Sequence, residues 1–447
     1  MTAAARVWLA SAAYALVYYA LGSVRYAAYR SGSDLGLFTQ SIAGAFSGFA
    51  NTTEGGSHFT YHFSPVLYLC APLLLLAHSP LALVALQAAA GALVAPPLFY
   101  IARKRVPAGL ACAIAGVALL YPPLAGVTFA DFHENGFAPA ATMWLLWAVD
   151  ARRLRLAAVF LVLTLGIKED QAVIVGAAAG AAFVHFVRAG DPPRARFAAA
   201  GALLCAVTFV AFFAIVRPAA GAHDAWGPTH FYAWNGGDAH GRAPWYSLGR
   251  PAYVLEAFVP LGFAALGSPA IALALPGFIE VLGSHESITY TMGQHYAAVW
   301  IAYVLFAFAL AVGATYAGAP RRAALTVRAA LVLCTLVLAF ASPTHWGHYV
   351  RARTAHDGAR DRALARLPKD GEIGAADDLY AHLGFDPHAL LGFDRAPRYA
   401  LVDAKDDVAA LNVKWRPIVV AKARTGAYRL LWSDDGVELY ERSGAAR

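Results

Sequence analysis

The sequence predicts an all-α polytopic membrane protein that carries a small α/β domain at its C-terminal end. Of the 447 residues, 59% are hydrophobic and only 14% are charged, whereas a soluble domain has about 25% charged residues. Long apolar runs follow one another as far as residue 342, and charged residues become frequent after that point. The composition therefore indicates a transmembrane domain over residues 1–342 and a polar domain over residues 343–447.

Eleven apolar runs are candidate transmembrane helices, because each is apolar enough to lie in the hydrocarbon core of a bilayer. Several are shorter than the roughly 20 residues that an upright helix needs, so tilting of the helix or thinning of the bilayer is implied. The candidate spans are residues 7–24, 81–102, 107–130, 137–150, 154–167, 171–187, 197–216, 253–267, 269–283, 296–318 and 323–342.

The basic residues set the expected orientation. Clusters at Arg103–Arg105, Arg152–Arg155 and Arg321–Arg322 adjoin spans, and short cytoplasmic loops are rich in Lys and Arg. This distribution also argues against a nucleic-acid-binding surface, although the net charge is +7. The run Pro65–His78 is only about half the length of a span, and treating it as a re-entrant or juxtamembrane helix places all the clusters on one side. We therefore expect a multi-pass protein of the cell inner (plasma) membrane with a cytoplasmic N-terminus and an extracytoplasmic C-terminal domain.

Short strands and a helix are predicted after residue 342. Glu372–Ala376 and Arg398–Asp403 have strand-like composition, and Asp377–Leu383 between them is expected to be helical. Tyr428–Trp432 and Val437–Glu441 flank a Ser-Asp-Asp-Gly turn, which is typical of a β-hairpin. A unit of roughly one hundred residues has the usual size of an independent domain.

Polar side chains are concentrated in residues 33–65, directly after the first predicted span. Asp34 lies where a helix over residues 35–46 would begin, so it could be the N-cap of that helix, a catalytic acid or both. His58 and His62 are four residues apart and could bind a metal from one face of a helix, but neighbouring glycines favour a loop. Binding of a phosphate or a hydroxyl is therefore favoured over metal ligation for these histidines.

A second polar group, Asp131 to Glu134, directly follows the third predicted span. Glu134 could simply stabilise the start of the next helix through its negative charge, and His133 adjoins it. Asp131 has no comparable structural explanation. We therefore expect Asp131 to be the second catalytic residue after Asp34, with His133 and Glu134 as substrate-binding residues.

Two further outer loops supply candidate substrate-binding residues. Lys168, Glu169 and Asp170 lie between two short apolar runs, where they form either a solvated turn or a site in which Lys168 binds a lipid-linked phosphate. His295 and Tyr296 open a later span; His295 could donate to a phosphate, and Tyr296 could instead belong to the aromatic belt of the interface. Ionisable groups at the edge of a membrane are costly, which favours a functional role.

The loop over residues 217–252 is rich in aromatic side chains, which suit either stacking against a sugar or an interfacial belt. Composition does not separate these two roles. The residues concerned are Trp226, His230, Tyr232, Trp234, Trp245 and Tyr246.

Several motifs occur in an order that resembles a bacterial family of membrane proteins, domain of unknown function 2079. The motifs are SDLGLFTQ, HFSPVLYLCAPL, LQ…PLFYIARK, LLYPPL…DFHE…AP, KEDQA and QHY. Each is weak alone, but as an ordered set they are specific. The resemblance covers approximately residues 15–310, and the segment from Leu367 to Asp403 also looks like the C-terminal region of that family.

That family is similar in layout to the GT-C superfamily of glycosyltransferases. The resemblance implies a GT-C-like fold with a catalytic acid in the first outer loop, and a polyprenyl-phosphate sugar as donor. Asp34 then matches the first-loop acid, and Asp131 matches the acid after the third span. His58 and His62 have no certain counterpart, and the DxD-type metal motif is absent, so we expect no cofactor, with a divalent metal as the alternative.

We therefore expect transfer of a sugar from a polyprenyl-phosphate donor to a glycan, lipid or protein acceptor of the cell envelope. Asp34 would act as general base, and Lys168, His295 and the histidines at 58 and 62 would face the phosphate of the donor lipid. A transporter or lipid flippase is an alternative, because ionisable groups in membranes also mark transport paths. A non-catalytic envelope scaffold is the third hypothesis. Against transport, the charged residues gather at one face of the membrane, and no inverted repeat is evident.

Overall fold

The computed structural model describes residues 1–222, 246–405 and 410–444. Helices dominate this part of the chain, and a mixed sheet lies near its end. The helices are α1 (Ala3–Ala27), α2 (Ser33–Ala43), α3 (Leu67–Ala77), α4 (Leu81–Ala92), α5 (Ala95–Arg103), α6 (Ala108–Leu119), α7 (Pro122–Phe129), α8 (Ala138–Asp150), α9 (Leu154–Leu165), α10 (Asp170–Arg188), α11 (Pro192–Ala211), α12 (Arg217–Ala219), α13 (Gly249–Phe258), α14 (Leu275–Gly283), α15 (Ala298–Gly318), α16 (Pro320–Phe340), α17 (Trp346–Tyr349), α18 (Ala355–Leu364), α19 (Asp377–Tyr380) and α20 (Ala410–Arg424).

The number of transmembrane helices expected from the sequence is wrong by the criteria of length and composition. Within the described residues, six helical segments are long and apolar enough to cross a membrane, and a seventh is formed if α6 and α7, bent by 48°, count as one span. The six segments are Ala3–Ala27, Leu81–Arg103, Asp170–Arg188, Pro192–Ala219, His295–Gly318 and Pro320–Phe340.

The sequence predicts too many transmembrane helices because several apolar runs fold into short or interrupted helices. Helix α9 has 12 residues and is therefore about 18 Å long, well below the roughly 30 Å of a hydrocarbon core. The expected span 253–267 ends its α-helix at Phe258, and left-handed backbone at Gly262 and Phe263 turns the chain into 3₁₀ segments. Hydropathy alone does not reveal such turns. Helix α3 has 11 residues, as short as expected, and its non-crossing placement stays a prediction.

Helix α15 forms the centre of the helical domain. Most of its side chains are buried, including the fully buried Trp300, and it packs against α5, α8 and α16. A helix that is apolar on all faces lies either in a protein core or in a membrane, and the burial of α15 shows that other helices surround it. The central helix consequently fixes His295, which lies just before its first turn.

The C-terminal region contains the strands that the sequence predicts. The strands are β1 (Ala50–Asn51), β2 (Gly56–Ser57), β3 (Ile373–Ala375), β4 (Ala389–Leu391), β5 (Tyr399–Asp403), β6 (Tyr428–Asp434) and β7 (Val437–Arg442). The first two form a small ribbon in the loop after α2, and the other five form one sheet in the order β4-β3-β5-β7-β6. Strand β3 pairs in parallel with β4 and β5, whereas β7 pairs antiparallel with β5 and β6.

The predicted strands over 372–376 and 398–403 and the hairpin between residues 428 and 441 are confirmed. The predicted helix is shorter than expected and covers Asp377–Tyr380. The domain boundary at residue 342 stays a prediction. Tyr29 and Leu37 join the apolar cluster of the sheet domain, so the C-terminal domain contacts α2 and the loop before it.

Candidate active site

Asp34 is the second residue of α2, and its side chain is half-buried. Gly32 is the N-cap residue of the helix, so the alternative that Asp34 is the N-cap is wrong. Within the described part of the chain, its carboxylate forms no hydrogen bond or ion pair. Burial raises the pKa of Asp34 to about 7, with further contributions from the negative charges of Asp131, Glu134 and Asp377, and Lys168 opposes them.

Asp131 is held firmly by two neighbours. Its Oδ2 atom accepts a hydrogen bond from Arg25 Nη2 at 3.0 Å and another from the Gly32 backbone N–H at 2.7 Å. Arg25 is 7% exposed, so this ion pair lies largely away from solvent. Asp131 therefore connects the end of α1, the N-terminus of α2 and the loop after α7.

Gln87 holds that same loop from α4. Its side-chain amide donates to the carbonyl of Ala130 at 2.8 Å, and its side-chain oxygen accepts from the His133 N–H at 3.0 Å. Gln87 is 3% exposed. The buried amide fixes the backbone between two predicted site residues, Asp131 and His133.

His133, Glu134, Lys168 and His295 form a buried group beside this loop. The imidazole rings of His133 and His295 stack with centroids 3.5 Å apart. His133 Nδ1 lies 3.0 Å from Glu134 Oε2, and Lys168 Nζ lies 4.0 Å from Glu134 Oε1. Burial lowers the pKa of His133 well below its ordinary value, and the nearby His295 and Lys168 lower it further. His133 is consequently neutral near pH 7, which leaves Lys168 as the cation of this group.

The two histidines of the first loop are each paired with a carboxylate. His58 Nδ1 donates to Glu54 at 3.0 Å, and His62 Nδ1 donates to Glu169 at 2.9 Å. Burial lowers the pKa of His58, but the bond and the negative charge of Glu54 outweigh it and raise the pKa overall. Burial raises the pKa of Glu169, but His62 and Lys168 outweigh it and hold that pKa at about 2.

Carboxylates surround the ammonium group of Lys168. Burial lowers its pKa, but the negative charges of Glu134, Asp170 and Glu169 outweigh burial and raise the pKa above the ordinary value. Asp170 also accepts a bond from the Gln171 side chain at 3.0 Å. The structure therefore brings Lys168 together with the residues expected from the adjoining loops, and Tyr296 adds a further electrostatic contact.

No group of three or more His, Cys, Asp or Glu side chains suited to a metal ion occurs within residues 1–222, 246–405 and 410–444. The His58 and His62 ring centroids are 5.5 Å apart, and each Nδ1 atom is engaged by its own carboxylate. The expectation of no cofactor stays a prediction.

Two partners of the predicted residues were missed from the sequence, Arg25 and Gln87. Both are isolated polar residues at the end of, or inside, apolar runs. Their partners are distant in sequence, so no local pattern shows the pairing. In the aromatic loop, Trp226, His230, Tyr232, Trp234 and Trp245 lie outside the described residues, and Tyr246 is exposed.

Comparison with known proteins agrees with this architecture. The model of the predicted membrane protein family DUF2079 matches residues 25–385, which is more than half of the chain. The protein belongs to this family. The resemblance expected from the sequence motifs is thereby confirmed. No curated protein shows significant similarity to the chain.

Two solved structures show that this DUF2079 protein has the fold of ArnT. ArnT from Cupriavidus metallidurans bound to undecaprenyl phosphate matches with a TM-score of 0.62 and 13% identity, over 98% of both chains. The same protein in the apo state matches with a TM-score of 0.55 and 13% identity, over 96% of this chain and 98% of that one. The expected helical fold with a small C-terminal sheet is therefore confirmed, and this level of identity reports on fold alone.

Proposed function

We propose that this protein is a membrane glycosyltransferase that moves a sugar from a polyprenyl-phosphate donor to an acceptor hydroxyl of the cell envelope. The observation that supports the proposal most strongly is that the Asp34 carboxylate is not engaged by another described side chain. Among the described residues this half-buried carboxylate has no bonding partner, and it shares an electrostatic cluster with the buried Lys168. An acid that is not already engaged is available to accept a proton from a substrate.

Asp34 acts as the general base. It takes the proton of the acceptor hydroxyl while the acceptor oxygen bonds to the anomeric carbon of the donor sugar, and the bond from that carbon to the phosphate oxygen breaks. A general base typically contributes ~10²–10⁴-fold to the rate when its pKa lies near the working pH. The pKa of Asp34, raised to about 7, meets that condition.

Lys168 stabilises the leaving group. The departing polyprenyl phosphate gains one negative charge, and a fixed cation in a site shielded from water stabilises such a charge strongly. His133 is neutral and Arg25 is engaged by Asp131, so Lys168 is the better candidate in this group. Its ammonium lies 4.0 Å from Glu134, a distance that leaves its hydrogen-bond donors free to face a phosphate.

The other predicted residues position Asp34 and Lys168 or surround the substrate. Asp131 anchors the N-terminus of α2 and so positions Asp34, rather than reacting itself. Glu169 and His62 hold the first loop against the start of α10 through their 2.9 Å contact. Glu54 orients His58 in the same way, and Asp170, His133, Glu134, His295 and Tyr296 complete the surroundings of the phosphate.

The similarity of fold supports the proposed donor class. ArnT carries undecaprenyl phosphate in one of the solved structures, and a polyprenyl phosphate of the same chemistry would place one anionic headgroup beside Lys168. We further propose that the site faces the outside of the cytoplasmic membrane, with the N-terminus in the cytoplasm and the C-terminal domain outside.

A cavity of about 490 Å³ provides space for the acceptor. Its wall is partly apolar and partly polar, with Glu256 and His345 as its ionisable groups. Tyr290 and Met292 line it, and the chain leads from them within a few residues to His295 of the active site.

A donor screen tests the proposal. Purified full-length protein in nanodiscs would be incubated with polyprenyl-phosphate sugars and extracted envelope lipids, and release of polyprenyl phosphate would be followed by mass spectrometry. We expect at least one donor to be cleaved with formation of a glycosylated acceptor. Movement of a lipid between leaflets without cleavage would favour a flippase, and binding of envelope components with neither reaction would favour a scaffold.

A further inference from the structure

The C-terminal domain makes very close contact with the helix that carries Asp34. A β-carbon added at Gly384 would lie 2.6 Å from Thr39 Cβ and 2.8 Å from the carbonyl oxygen of Gly36. A β-carbon added at Gly36 would in turn lie 2.7 Å from Tyr380 Cδ1 and 2.8 Å from its carbonyl oxygen. Two glycines thus allow α2 and the segment after α19 to approach to a distance that any larger residue would prevent.

Hydrogen bonds stabilise the same contact between α2 and the C-terminal domain. Gln40, which is 5% exposed, donates to the carbonyl of Asp386 at 2.7 Å and accepts from the Tyr380 hydroxyl at 3.3 Å. Tyr380 also bonds to Thr53 at 3.0 Å. Because a buried amide must be satisfied on both sides, these bonds specify one orientation of α2 relative to the domain.

The domain also holds the chain just before α2. The ring of His382 stacks between Tyr26 and Tyr29, with centroid distances of 4.0 Å and 4.1 Å. Arg351 donates to the carbonyl of Ala28 at 2.9 Å, and the Tyr29 hydroxyl donates to Asp361 at 2.7 Å. Asp34 therefore lies between two stretches of chain that the C-terminal domain fixes.

We propose that the C-terminal domain is a positioning element of the active site, which sets the location and burial of Asp34 by docking on α2 through Gly36 and Gly384. This inference rests on the proposed role of Asp34 as general base. It assigns a function to a domain that contributes no base or cation to the reaction described above.

The electrostatics of Asp34 agree with this role. The charged groups that act on it are Asp131 from the loop after α7, Glu134 and Lys168 from the helical domain, and Asp377 from the C-terminal domain. Asp377 is the first residue of α19. Undocking would expose Asp34 to water and remove the charge of Asp377, and both changes lower the pKa of the carboxyl group.

The test compares Gly384→Ala and Gly36→Ala, which block the contact from its two sides, with Gly358→Ala as control. Gly358 lies in α18 of the same domain, and a β-carbon there would meet only the end of the Arg362 side chain at 3.4 Å. Hydrogen exchange of residues 33–43 reports docking without any need for activity. The pH dependence of kcat/KM reports the environment of Asp34.

We expect both interface variants to lose protection in residues 33–43, to lose roughly 10²-fold in kcat/KM as for a small misplacement of a catalytic group, and to shift the acidic limb of the pH profile to lower pH. The control should match the wild type. Unchanged protection, or lost protection with an unchanged pH profile and unchanged kcat/KM, would overturn the inference.

Two further readouts keep the outcomes distinct. If Gly384→Ala unfolds the domain, exchange in Tyr399–Asp403 will show it. Tyr380→Phe, which removes only the hydroxyl and its bonds, those to Gln40 and Thr53 among them, then serves as the interface variant under the same expectations. If the wild type transfers no sugar, the proposed function fails, whereas the exchange measurement still decides whether the domain docks on α2.

Discussion

Arg25 and Asp131 form an ion pair in which Nη2 lies 3.0 Å from Oδ2, and this pair joins the end of α1 to the loop after α7. The same Oδ2 accepts the N–H of Gly32 at 2.7 Å, the residue that precedes α2. One carboxylate thus connects three segments around Asp34. Asp131 was expected to be catalytic, and these contacts suit an anchoring role better.

Replacing Asp131 should lower both the free energy of unfolding and the rate of sugar transfer. Asp131→Ala leaves Arg25 buried without its partner, and breaking a buried ion pair typically costs about 3–5 kcal/mol of unfolding free energy. We expect a lower unfolding temperature in detergent and slower sugar transfer. Asp150→Ala is the matched control, because Asp150 pairs with Arg105 at the last residue of α8, away from the site. It should lose stability and keep its turnover when folded; full turnover in Asp131→Ala would contradict the anchoring role.

Variants of Lys168 and Glu134 should distinguish an effect on stability from an effect on catalysis. Lys168→Met leaves the fully buried Glu134 carboxylate without its nearest cation, so we expect destabilisation, together with a loss of about 10²–10³-fold in kcat because the leaving phosphate is no longer stabilised. Glu134→Gln combined with Lys168→Met removes the unpaired charge. The double variant should recover the unfolding temperature without recovering kcat, and recovery of kcat would show that Lys168 does not act on the phosphate.

The reaction should depend on pH through Asp34. Its carboxylate is the active form, so kcat/KM should rise about tenfold per pH unit below pH 7 and level off above it, because the pKa of Asp34 is raised to about 7. The pKa of Lys168 is raised above its ordinary value, so the plateau should extend to about pH 9. A profile that is flat or falls across this range would exclude Asp34 as a base with this pKa. Initial rates in buffers of constant ionic strength provide the measurement.

The sequence predicted the parts of the structure that depend on local patterns. The hairpin around Gly436, the strand at Tyr399–Asp403 and the start of a helix next to Asp34 all follow from turn chemistry and residue alternation. The proximity of Asp34, Lys168 and His295 was also expected, because the charge distribution predicts that their loops lie on one side of the membrane.

The remaining features depend on contacts between distant segments. The number of spans was overestimated because hydropathy does not report the short length of helices such as α9 or turns such as that at Gly262 and Phe263. The partners Arg25 of Asp131 and Glu169 of His62 are separated by about a hundred residues from the groups they bind, and no local spacing encodes such pairs. The glycine contact between Gly36 and Gly384 is a matter of backbone approach, which composition does not show.

The most direct test of the central claim is the rate of polyprenyl-phosphate release by Asp34→Asn compared with the wild type, each with the donor that the screen identifies. Asparagine keeps the shape of the side chain and cannot accept the proton, so we expect kcat to fall by about 10²–10⁴-fold. Because burial disfavours the charge of Asp34, the unfolding temperature at pH 8 should be equal to or higher than that of the wild type. Release at the wild-type rate by Asp34→Asn would contradict the account.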